Sequence, residues 1–216
     1  MDDLKIRIID KTTEDFAPVV ILNVDNGEEL EVFDEYLIKD NIENYVLVGL
    51  FGYDWNRYLS PWPEKAVFKN GDDFKGEADT YLKKIIEEII PSLKVKASYY
   101  AIGGYSLAGL FALYAGYRCD VFSRIISASG SLWYPGFMDF IKENRLSKNV
   151  ECVYLSLGDK EAETRNPIMR TVKDNTETVY DSYKDNIKCI FEMNEGNHFK
   201  DAPYRLYKGI RYILNT

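Results

Sequence analysis

The feature that most constrains the fold is a series of short apolar runs that alternate with helical patterns along most of the chain. The runs that predict strands are KIRII near the start, Pro18–Val24, Asn44–Leu50, Ser98–Ile102, Arg124–Ser129, Glu151–Leu157 and Ile187–Met193. Several of these runs are apolar at successive positions, so both faces of the strand are apolar. This is typical of a mainly parallel sheet that helices cover on both sides.

Helical spacing of apolar residues appears between these runs. It predicts helices over residues 76–93, where Pro91 stops the pattern, over 107–118, in the polar stretch Asn166–Lys184 and over 204–214. The alternation predicts an α/β fold, a three-layer α/β/α sandwich with a mostly parallel central sheet and right-handed crossovers. In such sheets the chemistry gathers at the carboxyl ends of the strands.

Length and charge limit the classes of function. The 216 residues, 46% of them hydrophobic, predict one globular domain over residues 1–216. The net charge of −8 argues against a nucleic-acid surface, because phosphate binding needs clustered Lys and Arg. The apolar stretches are too short to span a membrane, and the acidic start MDDLKIRIIDKTTEDF lacks a secretory signal pattern. We therefore expect a cytoplasmic protein without membrane or nucleic-acid partners.

The cysteines do not suggest a disulfide framework or a metal site. Cys119, Cys152 and Cys189 are odd in number and show neither CxxC nor His-paired spacing. We expect them to be reduced packing residues, and we expect no metal and no cofactor.

The segment GGYSLAG, residues 103–109, follows the predicted strand SYYAI and opens a predicted helix. This placement is that of a nucleophile elbow, in which Ser106 would occupy a strained turn and small neighbours let strand and helix approach. Gly104 fits the usual G-x-S-x-G pattern, while Ala108 replaces its second glycine. A serine that only caps the helix is an equally good interpretation of the motif alone.

A serine nucleophile needs a base that is itself oriented by a third group. The one histidine, His198, directly follows the last predicted strand and is the candidate base; a surface-loop histidine is the alternative. The candidate acid follows the strand ECVYLSL, where we narrowly favour Glu161 over Asp159, and a solvated acidic loop is the alternative. The resulting chain order of serine, acid and histidine is the one such sandwiches use.

Acyl transfer also needs two donors aimed at the developing oxyanion. The backbone N–H of Leu107, the residue after Ser106, is the first candidate. The second is that of Asn26 or Gly27, in the turn after PVVILN. The sequence Asp25-Asn26-Gly27 would also form a plain turn without any catalytic role.

Six segments, in order, resemble those of the putative esterases of the esterase D type, within the α/β hydrolases. They are PVVILNVDNGEE, VGLFGYDWNRYLSPW, GGYSLAGLFALYA, SASGSLWYP, LSLGDKE and NEGNHF. The resemblance covers nearly the whole chain and implies an α/β-hydrolase fold and acyl-ester hydrolysis without a cofactor, with Ser106 as nucleophile, His198 as base and Glu161 as acid. Some siderophore-esterase relatives use a Ser-His pair, and the family's substrates are too varied for the substrate to carry over.

Side chains in loops after strands predict the walls of a substrate pocket. They are Trp133, Tyr134, Tyr53, Trp55 and Arg57. The large aromatic side chains could equally cap the core, and Arg57 could pair with a nearby acid instead of a substrate carboxylate. The chain has no obvious lid insertion, which favours a small, soluble ester over a long-chain lipid.

The sequence therefore predicts a serine hydrolase that cleaves a small carboxylic ester through an acyl-enzyme on Ser106. The alternatives are a non-catalytic binding or scaffold protein with the same fold, and an acyltransferase or peptidase with the same triad. Pairing of two copies through an edge strand or an aromatic patch is a further possibility that the sequence leaves open.

Overall fold

The computed structural model describes residues 3–67 and 71–216. Residues 1–2, which open the acidic segment that lacks a secretory signal pattern, lie outside the described residues. The strands are β1 (Lys5–Asp10), β2 (Ala17–Asn23), β3 (Val46–Phe51), β4 (Pro63–Glu64), β5 (Phe74–Lys75), β6 (Ala97–Tyr105), β7 (Phe122–Ala128), β8 (Cys152–Gly158) and β9 (Lys188–Asn194). The α-helices are α1 (Glu29–Lys39), α2 (Trp55–Tyr58), α3 (Ala78–Lys84), α4 (Ile90–Ser92), α5 (Leu107–Arg118), α6 (Phe137–Glu143), α7 (Val172–Tyr183) and α8 (Ala202–Asn215).

Seven strands form one sheet in the order β1-β3-β2-β6-β7-β8-β9. Every neighbouring pair in it is parallel except β1 and β3, which are antiparallel. The small strands β4 and β5 pair with each other outside this sheet. The mostly parallel sheet confirms the predicted fold class.

Helices cover both faces of the sheet. Helices α1 and α8 pack on one face, while α3, α5 and α7 lie on the other. Adjacent residues of one strand therefore enter different cores: Ile21 belongs to the core under α5, and Leu22 to the core under α1 and α8. Both are fully buried. This explains why the strand sequences are apolar at successive positions, and it confirms the three-layer sandwich.

Several helices differ from the sequence prediction. The short helices α2 and α6 were not predicted, and the helix predicted over residues 76–93 contains a π-helical segment, Ile85–Ile89, between α3 and α4. Helix α1 was not predicted, although its buried residues have helical spacing; they are Leu30, Phe33 and Leu37. The helix predicted over Asn166–Lys184 begins at Val172, after a short 3-10 turn. Its start is delayed because the Asn166 side chain accepts the backbone N–H groups of Ile168 and Met169, which folds this segment into a turn.

In the described part of the chain, no helix combines the length and the apolarity needed to cross a membrane. All the cysteines are unpaired, and Cys152 is buried. Burial raises the pKa of the Cys189 thiol to about 12. Within residues 3–67 and 71–216, no cluster of three or more His, Cys, Asp or Glu side chains could hold a metal ion.

Candidate active site

Ser106 stands on the turn between β6 and α5. Its φ of 59° and ψ of −121° lie in a region that side-chain-bearing residues rarely adopt. The turn is held because the Ser106 N–H donates to the carbonyl of Ala128, while the Ser106 carbonyl accepts from the amides of Gly109 and Ser131. The Ser106 side chain makes no capping bond to the helix. The hydroxyl thus lies at the carboxyl end of β6 and does not cap the helix.

The strand and helix that flank Ser106 meet at Gly104 and Ala108. A β-carbon added at Gly104 would lie 2.3 Å from the Ala108 β-carbon, far inside van der Waals contact. The elbow therefore requires glycine at position 104, whereas alanine fits at 108 as long as 104 remains glycine.

We expect Gly104→Ala to destabilise the protein by about 1–3 kcal/mol and to lower activity, because the added methyl forces strand and helix apart. Ala108→Gly removes the atom that the new methyl would strike. The double variant should therefore recover part of the lost stability in thermal unfolding. Equal stability of Gly104→Ala and the wild type would contradict this packing.

A continuous chain of hydrogen bonds links three side chains that follow different strands. His198, after β9, places Nε2 2.9 Å from Ser106 Oγ. Its other ring nitrogen, Nδ1, lies 2.6 Å from Glu161 Oε2, and Glu161 follows β8. A carboxylate facing Nδ1 favours the tautomer with the proton on Nδ1, which leaves Nε2 free to accept from the serine hydroxyl.

The second oxygen of Glu161 is fully engaged. Glu161 Oε1 accepts from the Gly158 N–H at 2.6 Å, the Ser129 hydroxyl at 2.8 Å and the Arg205 guanidinium at 2.9 Å. The Glu161 side chain is only 4% exposed and that of Arg205 only 1%. These donors hold one carboxylate oxygen in place, so the other is directed at His198.

Arg205, near the start of α8, also binds the loop that carries the histidine. Its Nη2 donates to the carbonyl oxygens of Glu195 and Asn197, each at 3.0 Å. The Tyr105 hydroxyl donates to the carbonyl of His198 at 2.7 Å; burial raises the pKa of Tyr105, so that this proton is retained. Sequence reasoning missed Arg205, because an arginine in an amphipathic helix is normally at the surface.

Asp159, the alternative acid, has a different partner. Its exposed carboxylate accepts the Gly196 N–H at 2.7 Å and so braces the histidine loop against the end of β8. The structure brings Glu161, and not Asp159, to His198.

Two cavities meet at the serine and the histidine, and both also reach Trp55 and Phe199. The first cavity, of about 300 Å³, has mainly apolar walls, among them Phe74, Leu107, Trp133, Met169 and Val172. The second cavity, of about 440 Å³, is more polar; its walls include Asn23, Asp25, Asn26, Glu29 and Tyr105. Phe199 is 87% exposed and stands at the mouth of both.

The predicted pocket residues fall into two groups. Trp55 and Trp133 line the first cavity, as does Ser131, which sequence reasoning did not single out. Ser131 Oγ lies 3.3 Å from Ser106 Oγ. The sequence could have indicated Ser131, because it follows β7, and β7 is the neighbour of the strand that leads to Ser106.

The other three predicted pocket residues line neither cavity, which corrects that part of the prediction. Tyr134 is 2% exposed, and its hydroxyl donates to the carbonyl of Trp62 at 2.6 Å. Arg57 forms an ion pair with Glu77 at 2.9 Å. Tyr53 turns inward toward the end of β2. Their loops follow strands as expected, but their side chains are used for packing and pairing.

The predicted oxyanion donors also differ in their availability. The Leu107 N–H has no hydrogen-bond partner within residues 3–67 and 71–216, as expected for the first residue of a helix. In contrast, the Asn26 N–H donates to Glu29 Oε1 at 3.3 Å, in the turn that precedes helix α1. Gly27 lines neither cavity. Asn26 does line the second cavity together with Ser106, so its role as an oxyanion donor stays a prediction.

Comparison with known proteins agrees with this architecture. The sequence profile of the Esterase family, described as putative esterase, matches residues 22–198. An uncharacterized Bacillus subtilis protein, YbbA, is 26% identical over 164 residues, which cover 73% of this chain and 66% of that protein. The chain thus spans about two thirds of the length of this curated relative.

Solved structures show the same fold. A crystal structure of an IroE-like serine hydrolase from Shewanella oneidensis superposes with a TM-score of 0.81 at 19% identity, over 97% of this chain and 75% of the other. The siderophore hydrolase EstA from Aspergillus nidulans gives a TM-score of 0.73 at 19% identity, over 98% and 90%. Together with the profile match over most of the sequence, the fold and the elbow show that the chain belongs to the putative esterase family of the α/β hydrolases.

Proposed function

We propose that this protein is a serine hydrolase that cleaves a small, soluble carboxylic ester through an acyl-enzyme on Ser106. The observation that carries the proposal is the hydrogen-bonded chain from Glu161 through His198 to Ser106. Membership of the esterase family supports ester hydrolysis as the reaction class. The geometry of the three side chains supports the roles given to them here, with Ser106 as nucleophile, His198 as base and Glu161 as acid.

The first half-reaction forms the acyl-enzyme. Ser106 Oγ attacks the ester carbonyl carbon, its proton moves to His198 Nε2, and the carbonyl π electrons move onto the oxygen. Glu161 stabilises the imidazolium that results, across the short bond to Nδ1. The Leu107 N–H, at the start of α5, donates to the oxyanion. When the carbonyl re-forms, the bond to the alcohol oxygen breaks and His198 Nε2 returns its proton to the leaving alcohol.

The second half-reaction repeats these steps with water. His198 Nε2 takes a proton from water, the hydroxide oxygen bonds to the acyl carbon, and the acid leaves as Ser106 regains its proton. Each proton taken is returned, so the side chains are unchanged after one turnover.

The charge of the cavity walls supports a neutral substrate. Acidic side chains of Asp72, Asp25 and Glu29 line the cavities. Among the described wall residues, none is Lys or Arg. A strongly anionic ester would meet like charges there, whereas the apolar walls of the first cavity suit a short acyl chain or an aromatic group.

A fluorophosphonate probe tests the proposal without knowledge of the substrate. We expect the probe to label wild-type protein at Ser106, as mapped by mass spectrometry, because only an activated serine reacts quickly with it. Labelling should disappear in Ser106→Ala and in His198→Ala. Correctly folded wild type that remains unlabelled would contradict the proposal and favour a binding protein with this fold.

A further inference from the structure

Ser131, in the loop after β7, places a second hydroxyl beside the nucleophile. The residue is buried, and its Oγ lies 3.3 Å from Ser106 Oγ. Among the residues that the structure describes, Ser106 is the one hydrogen-bond partner of the Ser131 hydroxyl. The direction of this bond therefore decides what Ser131 can do in the reaction.

The hydrogen bonds of the triad fix that direction. Glu161 Oε2 faces His198 Nδ1 at 2.6 Å and favours the tautomer with the proton on Nδ1, so Nε2 is an acceptor. The Ser106 hydroxyl donates its proton to Nε2 across 2.9 Å. Because Ser106 has no second proton, the proton between the two serines belongs to Ser131. Ser131 thus donates to a lone pair of Ser106 Oγ.

Backbone contacts hold the loop after β7 against the elbow. The Ser131 N–H donates to the carbonyl of Ser106 at 3.0 Å, and the Ser131 carbonyl accepts from the Tyr134 N–H at 3.0 Å. Glycine at position 109 lets the loop lie against the first turn of α5, since a β-carbon there would be only 3.1 Å from the α-carbon of Gly130. The Ser131 hydroxyl is therefore fixed beside Ser106 before a substrate binds.

The same loop also reaches the acid of the triad. Ser129 has a φ of 45°, in the left-handed region that residues with side chains rarely adopt. Strain of this kind persists only where the surrounding structure holds it, and it clusters at functional sites. Here the Ser129 N–H donates to the carbonyl of Ser156 at 2.9 Å, and its hydroxyl donates to Glu161 Oε1 at 2.8 Å. The loop thus contacts both ends of the hydrogen-bonded triad.

From these observations we infer that Ser131 is a catalytic residue of deacylation, whose hydroxyl stabilises Ser106 Oγ as the leaving group. The inference rests on the proposed function, since it concerns the acyl-enzyme on Ser106. When the second tetrahedral intermediate collapses, the bond between the acyl carbon and Ser106 Oγ breaks and its electron pair passes to Oγ. His198 Nε2 then delivers to Oγ the proton that it took from water. Ser131 keeps its own proton and donates a hydrogen bond to the developing charge.

The Ser131 bond matters more for deacylation than for acylation. Before acylation, Ser106 Oγ is an alcohol oxygen, which already accepts well. In the acyl-enzyme it is the single-bonded oxygen of an ester, which accepts weakly because its lone pair is shared with the carbonyl group. Hydrogen bonds to charged oxygen are shorter and stronger than those to neutral oxygen, so the bond gains strength as Oγ departs. Only an interaction that is stronger in the transition state than in the ground state raises the rate.

Ser131→Ala tests this assignment in stopped-flow kinetics with p-nitrophenyl acetate. We expect the burst of p-nitrophenol, which reports acylation, to keep its rate within about threefold. The hydrolysis of the acetyl-enzyme, followed by mass spectrometry after excess ester is removed, should slow on the order of 10–100-fold. Ser129→Ala is the matched variant in the same loop. It removes a donor to Glu161, which acts in both half-reactions, so it should slow both phases by similar factors.

Several outcomes would overturn the assignment. An equal loss in both phases of folded Ser131→Ala would do so, because it would indicate a purely structural role, and so would an unchanged rate of deacylation. If Ser131→Ala does not fold, Ser131→Cys decides, since a thiol is a weaker donor of similar size. Its loss should be confined to deacylation, and an equal loss in both phases contradicts the inference. A wild type that neither hydrolyses the ester nor reacts with the fluorophosphonate probe would instead refute the proposed function itself.

Discussion

Alanine in place of Ser106 is expected to lower kcat for p-nitrophenyl acetate by about 10⁴–10⁶-fold, with an intact fold in thermal unfolding. His198→Ala should cost a similar factor, because without Nε2 no group removes the serine proton. The double variant should be little worse than either single variant, since the two side chains act as one unit. Additive losses in steady-state kinetics would contradict the coupling that the 2.9 Å contact implies.

Glu161→Gln is the most informative change at the acid. Glu161 Oε1 receives three donors, from Gly158, Ser129 and Arg205. The amide oxygen of glutamine must take that position, so its N–H₂ group would face His198 Nδ1. The histidine would then carry its proton on Nε2 and could not accept from Ser106, which we expect to cost about 10⁴-fold in kcat.

Asp159→Asn is the matched control for the acid. It also changes a carboxylate to an amide just after β8, but the Asp159 side chain accepts only from the Gly196 N–H and does not touch the histidine. We expect a small loss of activity. A loss in Asp159→Asn as large as that in Glu161→Gln would show that the acid has been assigned to the wrong side chain.

Arg205→Met is expected to destabilise the protein by about 3–5 kcal/mol, because it leaves the Glu161 carboxylate buried without its positive partner. The variant also loses the bonds to the carbonyls of Glu195 and Asn197, which hold the histidine loop. For a chain of this size the melting temperature should fall by roughly 10 °C. Activity should fall as well, since the acid and the histidine would no longer be fixed relative to each other.

Helix α8 offers a matched control in Arg211. Its side chain is 50% exposed and pairs with Asp40 at 3.1 Å, so Arg211→Met should cost less than about 1 kcal/mol. Adding Glu161→Gln to Arg205→Met should restore part of the stability, because no charge is then left buried and unpaired. Equal melting temperatures for Arg205→Met and Arg211→Met would contradict the role given to the buried pair.

The sequence was sufficient for most of the sheet, because buried parallel strands are apolar on both faces and β2, β3 and β8 show this directly. It did not reveal that β1 is antiparallel, since hydrophobic pattern carries no information on strand direction. Helix α1 was missed although Leu30, Phe33 and Leu37 have helical spacing. The turn residues Asn26 and Gly27 and the acids around them favour a loop at this position in the sequence.

Some residues of the candidate site could be predicted from the sequence, and others could not. Ser106, His198 and Glu161 could be proposed because each follows a predicted strand in the order that the fold uses. Whether a side chain after a strand faces a cavity or the core depends on tertiary packing. For this reason the sequence places Tyr53 and Tyr134 in the pocket, whereas the structure turns both inward. Arg205 gave no local signal, since only the folded chain shows that it pairs with Glu161.

The measurement that tests the central claim most directly is the trapping of the acyl-enzyme. Wild-type protein is mixed with excess p-nitrophenyl acetate, quenched with acid within milliseconds, and analysed by mass spectrometry of the intact chain and its peptides. The account predicts one acetyl group, on Ser106, formed together with a burst of p-nitrophenol and absent in Ser106→Ala. Steady hydrolysis with no acetyl group on Ser106, or hydrolysis that persists in Ser106→Ala, would contradict it.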